Sequence, residues 1–161
     1  MRVYKYPQSF LYGAFSDTTS QAIALANTPQ AITMNTTDIV DGAYLGSPTS
    51  RVYCPNSGNY NFQFSLAIES TSSSSKTICF WPRINGTDVP NSATDLTIAG
   101  AGTKQVAAWN FLLPMNAGQY FELIWASDSD TVSLYYSAAQ TSPYARPAIP
   151  SVILTVSQTN I

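Results

Sequence analysis

The side chains able to do covalent or acid–base chemistry are few and scattered in this chain. It has no histidine, which removes the Ser-His-Asp and Cys-His arrangements and the commonest transition-metal ligand. Its only glutamates are Glu69 and Glu122. A glycosidase needs two carboxylates flanking one bond, and nothing in the spacing of Glu69, Glu122 and Asp128 favours such a pair. Asp128-Ser129-Asp130 resembles part of a calcium loop but lacks the further acids and the closing glutamate, and the same residues are ordinary turn composition. No catalytic residue, cofactor or metal is expected. Cys54 and Cys79 could form one bridge, yet each sits among apolar neighbours in an expected strand, which favours buried free thiols. Asn35-Thr36-Thr37 and Asn85-Gly86-Thr87 match the N-glycosylation pattern, although Asn85 is better explained by a hairpin. Trp81, Trp109 and Trp125 could stack on sugar rings, but all three lie inside expected strands, where core packing is the default.

The elements that must position these residues are strands. From Tyr60 to Ile68 every even position is apolar and the odd positions are mostly polar, the period of a half-buried antiparallel strand. Its opening, Gly58-Asn59-Tyr60, returns as Gly118-Gln119-Tyr120. Further short strands are predicted near 22–25, 31–34, 51–54, 77–83, 95–98, 105–113, 120–125, 132–136 and 151–157. Asn85-Gly86 marks a type I′ hairpin turn, Ser70 to Ser75 an exposed polar loop, and Gln140–Pro150, with three prolines, another loop. No segment keeps a 3.6-residue period. Strands broken by turns every 8–12 residues predict an all-β, two-sheet antiparallel sandwich or jelly roll.

Composition narrows the class further. The 161 residues suit one domain, and 10% of them are charged against a norm of about 25%. Ser, Thr, Asn, Gln and ten tyrosines take their place, as on a β-protein largely covered by neighbours. The net charge of −2 predicts no attraction to nucleic acid, and no apolar run is long enough for a membrane-spanning helix. The first residues carry no signal-peptide pattern. Residues 1–20 differ from the rest. They combine Arg2, Val3, Lys5, Leu11 and the aromatics Tyr4, Tyr6, Phe10, Tyr12 and Phe15 without sustained alternation, and are expected as an arm ahead of a domain spanning 21–161. Such an arm either folds back on its domain or docks on another subunit. Of the adjacent Tyr135 and Tyr136, one must point outward.

Arg51-Val52-Tyr53-Cys54-Pro55, Ser57-Gly58-Asn59-Tyr60-Asn61-Phe62, Trp81-Pro82-Arg83-Ile84-Asn85-Gly86-Thr87, Trp109-Asn110-Phe111-Leu112-Leu113 and Ala117-Gly118-Gln119-Tyr120-Phe121-Glu122-Leu123 follow one another in order. Together they resemble the C1q/tumour-necrosis-factor-like jelly roll, particularly versions in tailed-phage structural proteins, over about residues 25–158. The resemblance implies a ten-strand jelly roll and a homotrimer, with Ala108, Asn110 and Leu112, joined by Tyr136, facing neighbouring subunits. It further implies a cement protein on the outer capsid surface of a virion. Its partner would be the major capsid protein, and Arg2, Val3, Tyr4, Lys5, Tyr6, Phe10, Leu11, Tyr12 and Phe15 would dock on the shell. The alternative is a receptor- or carbohydrate-binding knob of a head or tail fibre. A host-surface glycan would then sit among Ser70 to Ser75, Ala99 to Gly102 and Gln140–Pro150.

Overall fold

The structure, a computed structural model, describes residues 10–160. It is all-β and antiparallel, two sheets laid face to face with no helix among the described residues. In chain order the strands are β1 (Tyr12–Asp17), β2 (Gln21–Ala22), β3 (Gln30–Ala31), β4 (Thr36–Asp41), β5 (Tyr44–Leu45), β6 (Val52–Cys54) and β7 (Gly58–Ser70). They continue as β8 (Lys76–Ile84), β9 (Thr87–Asp88), β10 (Thr94–Ile98), β11 (Thr103–Met115), β12 (Gln119–Ser127), β13 (Val132–Leu134) and β14 (Val152–Asn160).

The alternating segment becomes β7, the axis of the first sheet. β11 pairs with it along one edge from Thr103↔Ser70 to Met115↔Gly58. β14 and β13 share its other edge, β1 lies between β14 and β4, and β2 extends β13. In the second sheet the order is β10-β8-β12-β6-β5, with β3 also on β12 and β9 on β8. Between β8 and β9 lie only Asn85 and Gly86, at φ 49° and 81°. Those are the positive angles of the hairpin turn that the sequence predicts, and glycine meets them without a side-chain clash.

The even residues Tyr60, Phe62, Phe64, Leu66 and Ile68 turn inward and meet Phe80, Phe121, Leu123 and Trp125 of the second sheet in one core. The closest ring pair across the sandwich is Phe62 against Phe121, stacked with centroids 4.1 Å apart and rings 8° from parallel. Both are fully buried, so removing either ring would forfeit transfer and packing free energy together.

Two strands escape the sequence patterns. β4 is an edge strand whose neighbours Ile39 and Val40 are both exposed, so alternation never develops. β1 has a register shift between Ala14 and Phe15 where it pairs with β4, and its Gly13 brings no side chain to the pattern. Its position corrects the proposed boundary at residue 20. Tyr12–Asp17 belongs to the sheet, and Phe15, expected on a docking arm, is fully buried in the core. A phenyl ring there cannot reach another molecule without unfolding β1. Arg2, Val3, Tyr4, Lys5 and Tyr6 lie outside the described residues.

Candidate functional site

The carboxylates do not converge. Glu69 lies on the outer side of the first sheet, 3.7 Å from the Lys104 ammonium. Glu122 belongs to the second sheet, across the core, where it is almost fully buried. The Ser50 hydroxyl donates to its Oε1 at 2.6 Å, and the Arg51 guanidinium lies 3.5 Å away. Arg51 in turn covers the Tyr120 ring at 4.4 Å, and Tyr120, Tyr53 and Tyr44 form a ladder of ring contacts across β12, β6 and β5. Glu122 is thus a satisfied buried acid, not half of a carboxylate pair. Asp128 Oδ1 accepts from the Thr77 backbone N–H at 3.1 Å and holds a turn. No three His, Cys, Asp or Glu side chains converge among the described residues.

Both thiols are free. Cys54 packs in the core, whereas Cys79 sits between the inward Ile78 and Phe80 and so points to the opposite face of the second sheet. Residues on opposite faces cannot bridge. Burial raises the Cys54 pKa to about 12. Burial, with a hydrogen bond to Asp95, raises that of Cys79 to about 11.

What the molecule does present is surface. Along β11, Lys104, Val106, Ala108, Asn110 and Leu112 alternate outward. Val106 and Leu112 are 63% and 62% exposed. Opposite them on β7 stand Ala67, Ser65, Gln63 and Asn61, with the Asn110 amide donating to Asn61 Oδ1 at 3.3 Å. Ile153 of β14 lies opposite Ser65 on the far edge and is also exposed. A shallow cleft of about 460 Å³ runs between Ala108, Asn110, Gln63, Ile153 and Thr155. The strip from β11 to β14 is aliphatic, amide and hydroxyl, with the Lys104–Glu69 pair at one end. It is the kind of surface that another protein covers.

The structure places Ala108, Asn110 and Leu112 on one outer row, and the tyrosine on the same face is Tyr135. Val132 and Leu134 are inward, so Ser133 and Tyr135 take the outer face. There the Lys104 ammonium lies 4.1 Å from the Tyr135 ring centroid. Tyr136 falls one residue out of that register, and its backbone N–H donates to the Ser20 hydroxyl at 2.9 Å. Of the arm residues that are described, Phe10 and Tyr12 are exposed and Leu11 is packed against the core.

The tryptophans separate into three environments, so core packing holds for Trp125 alone. Trp125 is fully buried. Trp81 is half-buried on the outer face of the second sheet. Trp109 shares the inward face of β11 with the buried Phe111 but is 58% exposed. β11 is an edge strand, and near Trp109 the sandwich edge opens onto a cavity of about 210 Å³ bounded by Phe64, Phe80, Leu96 and Val106. Strand periodicity assigns a face but cannot say whether a neighbouring strand covers it.

Compared with known proteins, the chain matches no family model and no curated sequence.

Proposed function

We propose that this chain is a structural protein of a tailed-phage virion, a homotrimeric jelly roll that decorates and stabilises the capsid shell. The observation that carries the subunit contact is the exposed, nearly uncharged strip of the first sheet, with Val106, Leu112 and Ile153 open to solvent beside a 13-residue edge strand. An edge strand of that length with apolar residues exposed is a liability for a free monomer and an asset for a closed ring, which covers it. The strand orders β4-β1-β14-β7-β11 and β5-β6-β12-β8-β10 support the jelly roll, because the successive strands β6, β7 and β8 alternate between the sheets. The low charge, the absence of histidine and the separation of Glu69 from Glu122 favour a mechanical over a catalytic role.

In this role the free energy comes from burying apolar area across junctions between shell subunits, which favours the assembled state. Arg2, Val3, Tyr4, Lys5, Tyr6, Phe10 and Tyr12 would supply the shell contact, and three copies per trimer add avidity without any one binding tightly. Because Tyr12–Asp17 is a sheet strand, the informative truncation stops at residue 9. Light scattering on the full chain should return three chain masses at every concentration. The trimer should then co-sediment with heads of the phage that encodes it, while the chain lacking residues 1–9 stays trimeric and remains in the supernatant. A monomeric full chain, or normal decoration by the truncated one, would overturn the assignment.

A further inference from the structure

The outer face of the second sheet carries a feature that shell decoration does not use. Phe80 is in the core and its neighbour Trp81 therefore faces outward, opposite Ile124 of β12. The half-buried indole is a shared wall of two open clefts of about 540 and 360 Å³. Asp88, Asn91 and Ser92 contribute to the first, and Asn27, Thr77 and Asp128 to the second. Beside the indole, Asp88 accepts from Arg83 Nε at 2.6 Å, which keeps its carboxyl below the usual carboxylate range, and the Trp81 side chain acts in the same direction.

Each cleft also offers an unspent amide. Asn27 and Asn91 occupy turn positions at φ 58° and 56°, and neither side chain is hydrogen-bonded among the described residues. Among the described residues no Lys or Arg lines either cleft, and each holds one carboxylate. Arg83 is already paired with Asp88, and Asp128 has no basic partner among the described residues, so an anionic ligand would meet no unpaired positive charge there. An indole flanked by amides, hydroxyls and carboxylates instead matches a pyranose ring, whose C–H face packs on the aromatic surface while its hydroxyls pair with the polar groups. Two clefts against one indole suit more than one sugar ring.

We infer that Trp81 and its two flanking clefts form a binding site for a neutral oligosaccharide. The site stands on the face of the second sheet, away from the strip assigned to subunit contact, and does not depend on the shell-decoration role. The test is the full chain on an array of neutral oligosaccharides built from glucose, galactose, mannose and N-acetylglucosamine, beside sialylated and sulfated ones. At least one neutral member should be retained, and its affinity should fall about tenfold or more in Trp81→Ala, as loss of an aromatic contact implies. Asn27→Gly and Asn91→Gly remove the amides while keeping a residue that tolerates positive φ, so both should fold and at least one should weaken binding. Trp109→Ala should leave it unchanged. Retention of acidic glycans alone, no neutral glycan retained, or unaltered binding by Trp81→Ala would overturn the inference. If Trp81→Ala loses the β-sheet circular dichroism of the parent, unaltered binding by both asparagine variants overturns it instead.

Discussion

Replacing Leu112 by glutamine tests the first-sheet surface with little disturbance of the subunit itself. Leu112 is 62% exposed, on the outward row of β11 opposite Asn61. In an isolated subunit the change should alter stability by no more than about 0.5 kcal/mol, as at other surface positions. In a trimer sealed through this face the accounting differs. Full burial of a leucine is worth about 1.5–3 kcal/mol, so covering the exposed three-fifths contributes about 1–2 kcal/mol per subunit. A glutamine amide buried there without a partner costs about a further 1–3 kcal/mol. A closed ring repeats the contact three times, so even the low ends sum to about 6 kcal/mol, or about four decades in the dissociation constant. For one trimer in equilibrium with three monomers, the midpoint concentration moves as the square root, about a hundredfold. Sedimentation velocity across a dilution series reads this directly. A trimeric parent whose Leu112→Gln variant dissociates at a midpoint within about threefold of its own would refute the assignment of this face to the subunit contact.

Two further outcomes concern the sandwich itself. Phe62 and Phe121 should be coupled: in a double-mutant cycle with leucine at each position, urea unfolding should show about 0.5–1.5 kcal/mol of interaction, and strict additivity would sink the claim that the stacked pair joins the sheets. Cys79, with its pKa raised from 9.0 to about 11, should react with a thiol reagent at pH 8 about a hundredfold more slowly in the native protein than after unfolding. The sign of the linked pH dependence follows. Both thiols are protonated in either state below pH 9, where stability is complete, and it declines as pH rises from 9 through 11 and 12 because the unfolded chain ionises first. Fast native labelling at Cys79, or flat stability over that range, would contradict the raised pKa values of these thiols.

What the sequence alone determined was local. The alternation from Tyr60 to Ile68 makes β7 half-buried, because a period of two allows no other partition of side chains. Asn85-Gly86 makes the hairpin, because both residues accept the positive φ of a type I′ turn. The absence of histidine and the scarcity of acids were legible before any fold. The tertiary structure decided coverage. Trp125 and Trp109 both sit on inward faces, yet one is sealed and the other open, since β12 is flanked on both edges and β11 on one. Phe15 turned from a docking residue into a core residue because β1 finds partners in β14 and β4, respectively 135 and 20 positions away at Asp17↔Val152 and Ser16↔Thr36. Register within a strand is written in adjacent residues, whereas which strand lies beside it depends on contacts between distant parts of the chain, and those carry no local period.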